Sequence, residues 1–503
     1  MDQQVFSFLD YSVMLIYILI MVGIGVWVGR GQKSTKEYFL AGRSMGWFPI
    51  GISTIASLYS AISYMGGPSE YRTHDLKITV GMLSMIPTAL VVMYVFMPFY
   101  HRLQVYTAYE YLEKRFNLSV RLLTSAFFVF WRILWMATAV YVPSLVLHTI
   151  TGLPLIPMIL AVGVIATLYT VVGGMRAVIW TDVAQFFVLT AGSIIALLVV
   201  SSEVNGFSGL WLVAEQGGNT KVFDWSLSPT TRITSWGALI GGIVANLSMY
   251  GADQVSVQRY LAAKSLRAMQ KSFVLNTVGG SVMGFAMIGI GLGLYAFYAL
   301  KPDQLPTNIS GDSVFPYFIA TQMPWGLRGM MIAAILAAAM SSIDSGLNTC
   351  TTALITDFFK RLGWIIKSNK NSTEEEDSKE LRISRAFTFV LGVIITVLAC
   401  FVGRLGSIIE IANKLVNSFA GPMLGIFILG MLLRKTEWRG AFLGLSLGIA
   451  VTAYCIFDNS ISFMWFGPIG MIVTVISGKL ISFFVGNRET ENLDLVYRLK
   501  WFK

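Results

Sequence analysis

The sequence predicts an all-helical protein that crosses a membrane many times. Three observations carry this. Of 503 residues, 55% are hydrophobic and only 13% charged, against roughly a quarter charged in soluble domains. The apolar residues fall in blocks about as long as a bilayer-spanning helix. Those blocks show no strand-like alternation, so closed barrels are excluded and helices remain. A soluble enzyme, a disordered scaffold and a disulfide-rich secreted domain are all excluded by the same figures.

Thirteen spans are expected, at 11–29, 47–71, 79–99, 122–147, 155–174, 181–201, 234–252, 273–299, 327–355, 385–403, 412–433, 439–457 and 463–485. The first is too long for a signal-peptide core and follows Asp2 and Asp10 rather than basic residues, so it reads as a retained span. One set of loops carries 27 of the 37 Lys and Arg, including Arg259 and the cluster Lys360–Arg385. Basic loops face the cytoplasm, which places the amino terminus outside and the carboxyl terminus inside a cell membrane. The net charge of +10 follows from that bias and asks for no nucleic-acid partner. The polar run Ser368–Asp377 reads as a flexible cytoplasmic connector.

Span 2 contains Ser53, Thr54, Ser57, Ser60 and Ser63, with Tyr59, Tyr64 and a Gly66-Gly67-Pro68 run. Hydroxyls can bond freed carbonyls and Gly/Pro lower the cost of breaking a helix, so the segment reads as an interrupted helix or as a small-residue packing face. Span 7 is also glycine-rich and holds Asn246, Ser248 and Tyr250 mid-span. The two spans lie five apart. Five-span units starting at each would have opposite orientations, and paired interrupted spans point to inverted-repeat transporters. In span 9, Ala338, Ser341, Ser342 and Ser345 differ by 3, 4 and 7 and form one helical stripe. Three hydroxyls beside small residues suit a hard cation, or a close helix–helix contact.

Asp344 borders that stripe, and a carboxylate within a span is a functional-site hypothesis by default. Asp182 opens span 6, where Thr-Asp could equally cap a helix. Arg132 lies in span 4 near Trp131 and Trp135, as an anion partner or a snorkelling side chain. The three histidines, His74, His101 and His148, are too scattered for a metal site, and no Walker A sequence is present. Cys350, Cys400 and Cys455 fall in apolar segments and read as small buried residues. Of the N-x-[ST] matches, only Asn308 lies in an expected outer loop.

Three segments, Gly174–Gln185 with its Trp180-Thr181-Asp182, Gln254–Lys264, and Ala337–Asn348 with its Ser341-Ser342, resemble the sodium:solute symporter family over nearly the whole chain. Tyr141–Pro154 is similar to the branch carrying iodide, monocarboxylates and vitamins. The resemblance implies a LeuT-type fold of inverted five-helix repeats: residues 1–46 as an extra span and loop, 47–201 as the first repeat, 202–233 as an outer loop, 234–434 as the second repeat, and 435–503 as two further spans and a tail. It implies a Na+ site formed by carbonyls of Ala56, Tyr59 and Ala338 with hydroxyls of Ser341 and Ser342. A second sodium set is implied at Asp182, Ser341 and Ser345. Here Asp344 stands where members often show a hydroxyl residue. The implied solute site draws on Ser57, Ser60, Ser63, Tyr64, Met82, Arg132, Trp135, Asn246, Ser248, Tyr250 and Asn417. Sialic-acid-carrying members place an arginine at the position of Trp135.

The function implied is sodium-coupled import of a small neutral or monoanionic solute by alternating access, by a non-enzymatic, bilayer-embedded protein working as a monomer. The alternative is a sensor or anion channel that keeps the fold without coupled transport.

Overall fold

A computed structural model describes residues 7–29, 34–364, 374–404, 408–458, 460–485 and 495–496. The protein is 84% helix, with no strand among the described residues. The main helices are Phe8–Gly29 (α1), Trp47–Leu58 (α2), Ala61–Thr73 (α3), Lys77–Leu103 (α4), Leu118–Thr151 (α5), Leu155–Val171 (α6) and Gly173–Ser202 (α7). They continue with Ser235–Gly251 (α8), Gln254–Ala262 (α9), Leu266–Leu300 (α10), Leu327–Phe359 (α11), Glu374–Val402 (α12), Ile408–Met431 (α13), Trp438–Phe457 (α14) and Phe463–Val485 (α15).

Local chemistry sets many of these boundaries. Asn117, Thr234, Asp253 and Ser265 each accept a backbone N–H of the first turn of the helix that follows them. Helix α5 stops at Gly152, whose φ of 72° is the left-handed conformation that glycine adopts at least cost.

Ten of the described helices are long and apolar enough to cross a membrane, and α2 with α3 forms an eleventh crossing bent by 59°. The expected count of thirteen is not reached by this measure, because α6 and the 17-residue α8 are short. Both are shortened by breaks. Gly174, at the start of α7, takes φ 58° and ψ −176°, and Ala252–Asp253 separates α8 from α9. The break near Gly174 moves the start of the sixth crossing upstream, so Asp182 lies more than two turns inside α7 and caps nothing. Glu374–Asp377, expected in a connector, open α12. The rest of that connector, 368–373, lies outside the described residues.

Helix α11 is the centre of the molecule: 94% of its apolar window is buried, against 22% for α1 at the periphery. It packs on α1, α2, α3, α5, α6 and α7, while α14 and α15 form a hairpin against α13. The three cysteines carry no disulfide; Cys350 and Cys455 are buried.

Candidate functional site

The break between α2 and α3 faces the middle of α11. Tyr59 ends α2 with φ −90° and ψ 75°, its N–H still donating to Ile55 O, and Ser60 begins α3. Breaking the helix frees carbonyls that a continuous helix would use internally. The Ser341 hydroxyl donates to one of them, Ala56 O at 2.9 Å, and lies 3.2 Å from Ala338 O on its own helix. Ser342 Oγ donates to Ser57 O at 3.1 Å. Oxygens of Ala56, Ser57, Ala338, Ser341 and Ser342 thus converge at the seam, with Tyr59 at the break itself. Ser57's carbonyl was not among the expected donors. All these residues except the half-buried Tyr59 are buried. Uncharged carbonyl and hydroxyl oxygens are the ligand set a hard monovalent cation accepts, and the half-helix ends add a favourable dipole.

A charged cluster lies beside this seam, toward α9. Asp182 Oδ2 accepts from Ser53 Oγ at 2.6 Å, from Ser57 Oγ at 3.2 Å and from Arg259 Nη2 at 2.9 Å. Arg259 also donates to Ser53 Oγ, to Val255 O and, at 2.5 Å, to Ser345 Oγ. Arg259 was expected in a basic cytoplasmic loop; it is instead fully buried, as is Asp182. Its guanidinium holds Asp182 and Ser345, two members of the implied second sodium set. The third, Ser341, faces the helix break. Asp344 turns to the other side, accepting from Tyr169 at 3.0 Å and lying 3.5 Å from Thr181 Oγ1. Asp182 Oδ1 remains buried without a hydrogen-bond partner among the described residues. Sequence reasoning missed Arg259, Ser53, Tyr169 and Thr181. The available signal was a charge inside the polar segment Gln254–Lys264, the loop that α9 turns into a buried helix.

The expected solute residues divide. Met82, Asn246 and Tyr250 line one cavity of about 210 Å3 beside Tyr59. Ser60 Oγ and Ser248 Oγ, near the two broken helices, are buried without hydrogen-bond partners among the described residues. Ser57 belongs to the charged cluster. Ser63 is half-buried in α3, and Tyr64 turns toward Phe315 and the Gly192 region of α7. Arg132 neither snorkels nor lies free: it is ion-paired with Asp253 and sits 4.6 Å above the Trp131 ring. Trp135 stacks on Trp131, and Asn417 bonds back to Asn413 O. A larger cavity of about 430 Å3 opens beyond the far end of α3, lined by Glu70, Arg232, Asp312 and Lys414 among others. Across that opening, Glu70 accepts a bidentate pair from Arg232 at 2.7 and 2.8 Å.

A broken helix seated on a buried hydroxyl-bearing one defines a class of ion-coupled membrane transporter, and residues 38–448 match the sodium:solute symporter family. The chain belongs to that family and is a sodium-coupled solute symporter. It is 30% identical to the sodium/sialic acid symporter NanT of Aliivibrio fischeri over 98% of this chain and 97% of the relative. It is 32% identical to the sodium-dependent multivitamin transporter of Oryctolagus cuniculus, over 94% of this chain and 72% of that protein. Among solved structures it is similar to the substrate-bound outward-open state of a Na+-coupled sialic acid symporter, with a TM-score of 0.87 at 28% identity, covering 96% and 99% of the two chains.

Proposed function

We propose that the coupled sodium binds at the seam between the broken α2–α3 pair and α11, held by carbonyls of Ala56, Tyr59 and Ala338 and hydroxyls of Ser341 and Ser342. The observation that carries this reading is Ser341 Oγ standing between Ala56 O and Ala338 O. A cation drawn into that gap replaces the hydroxyl's own hydrogen bonds and ties the two helices together. The solute then sits beside the break, against Met82, Asn246 and Tyr250. A second sodium would have to use Asp182 Oδ1 with Asp344 or Ser345, since Arg259 occupies the other oxygen of Asp182.

The broken helix couples the two ligands. Sodium joins α2 to α11 and shapes the solute cavity; solute binding permits closure, and sodium leaves on the other side. The inner side is closed by α9, where Gln258 donates to Phe39 O at 2.6 Å and Asn348 Oδ1 at 2.8 Å and Asp253 holds Arg132. That closure and the 430 Å3 cavity at the opposite end support an outward-facing form. Each inward charge contributes roughly 2.3 kcal/mol per 100 mV to the driving force.

Two inverted repeats at 47–201 and 234–434, thirteen crossings with the short α6 and α8 included, an outside amino terminus and a monomeric unit complete the reading. The test is thermal stability of the purified protein in NaCl against KCl. The unaltered chain gains stability in sodium by binding linkage, and Ser342→Ala loses most of that gain while keeping its stability in KCl. An undiminished sodium gain in Ser342→Ala would reject the site.

A further inference from the structure

Helices α6 and α12 touch through two matched pairs of residues. A methyl group on Gly163 would sit 2.2 Å from Thr396 Oγ1, and one on Gly392 would sit 2.2 Å from Thr167 Oγ1. The pairs run in opposite senses along the two segments, so the helices are antiparallel, and glycine is what lets them approach this closely. Each threonine donates to the glycine carbonyl four residues earlier, Thr167 to Gly163 O and Thr396 to Gly392 O, both at 2.7 Å. Those hydroxyl protons are therefore spent inside their own helices. Beside this contact lies a cavity of about 160 Å3 walled by Leu160, Val164, Leu168, Phe389, Val393 and Val397. All six side chains are about half exposed, from 47 to 55%. At membrane depth such exposure faces hydrocarbon, and a cleft that offers no free donor suits an apolar chain.

The same face of α12 becomes basic at one end. Arg382 lies seven residues before Phe389, and Lys379 fourteen before Val393, which keeps each within about 40° of the wall residue above it. Both are exposed. The acidic residue between them in sequence, Glu380, is buried and paired with Lys360. With the amino terminus outside, this end of α12 meets the inner membrane surface, where anionic lipids attract basic side chains. The spacing decides the kind of occupant. About 22 Å of helix separates Arg382 from Val397, which is the depth of one leaflet with its headgroups, half of a bilayer about 40–45 Å thick. A phospholipid spans that depth. A free phosphate would reach only the basic end, and a helix of about 10–12 Å diameter is too wide to enter the cleft.

We propose that the α6–α12 cleft binds one acyl chain of an anionic phospholipid whose phosphate rests on Arg382 and Lys379. The test is thermal shift of the purified full-length chain in detergent and KCl, so that the sodium site plays no part. Phosphatidylglycerol is titrated against phosphatidylcholine of the same chains, with glycerol phosphate as the chainless probe. Phosphatidylglycerol is expected to half-saturate at a concentration on the order of tenfold lower, the scale of two basic residues at an anionic surface. Replacing both exposed residues, Lys379→Gln with Arg382→Gln, abolishes that preference. Val393→Trp and, from the other wall, Val164→Trp fill the cleft and weaken both lipids on the order of tenfold. Melting without added lipid certifies the folding of each variant. Equal affinity for the two lipids, or a preference that survives in the glutamine pair, would overturn the headgroup assignment. Unaltered lipid affinity in both tryptophan variants would overturn the chain assignment, as would glycerol phosphate matching the whole lipid. Native mass spectrometry in the same detergent covers the remaining occupant: a dimer that Val393→Trp dissociates would give the cleft to a second copy of the chain and reject lipid.

Discussion

Arg259 Nη2 donates to Asp182 Oδ2 at 2.9 Å, and neither side chain has any solvent exposure. The pair ties α9 to α7, and through Ser53 and Ser345 it reaches both α2 and α11, the helices of the proposed sodium site. A buried ion pair is weak support for stability as a whole, but removing one partner leaves an uncompensated charge.

Asp182→Asn and Arg259→Gln are therefore each expected to destabilise the protein by about 3–5 kcal/mol. The double variant should lose less than the two singles together, because it strands no charge. Thermal unfolding of all four forms in KCl checks this as a double-mutant cycle. Simple additivity would show that the two groups act independently.

Asp10 on α1 caps a helix that is not its own. Its Oδ1 accepts the N–H of Gly326 at 2.8 Å and of Gly329 at 2.9 Å, at the first turn of α11. Asp10→Ala leaves those donors unpaired beside the positive end of the helix dipole, and is expected to cost about 1–2 kcal/mol. Asp10→Asn keeps an acceptor oxygen and should recover most of the loss. Unfolding temperatures of the two variants measure it; equal losses would mean that the side-chain oxygen is not what matters.

Gly51 lets α2 lie directly on α10. A methyl group there would sit 2.8 Å from Ser272 O and 2.9 Å from a Leu275 methyl. Because one neighbour is backbone, the helices must separate. Gly51→Ala is expected to cost about 1–3 kcal/mol as overpacking, and to raise the sodium concentration for half-maximal stabilisation by displacing α2 from α11. Sodium titration of the thermal shift reads both effects; an unchanged sodium midpoint would confine the effect to packing.

Much of the architecture was readable beforehand because membrane insertion imposes strong rules on composition. Block length gave the helices, and the hydroxyls of span 2 pointed to an interruption, although the break falls at Tyr59–Ser60 and the Gly66-Gly67-Pro68 run stays helical inside α3. The stripe Ala338, Ser341, Ser342 and Ser345 was visible because helical periodicity is a one-dimensional property. Ser341 and Ser342 do face that break, whereas Ser345 faces Arg259. Less legible were residues whose meaning depends on a neighbour far along the chain. Arg259 read as a loop charge because a short polar helix after a break looks like a loop. Arg132 was compatible with a solute partner until Asp253 was found beside it.

The sequence by itself determined that the chain is a helical membrane protein with a stripe of hydroxyls along one span, since hydrophobic block length, helical period and residue chemistry are local quantities. Only the tertiary structure decided which charges neutralise one another and which helix Asp10 caps. Those depend on distances between residues dozens to hundreds of positions apart. At membrane depth, where water satisfies nothing, the pairings fix what a site can bind.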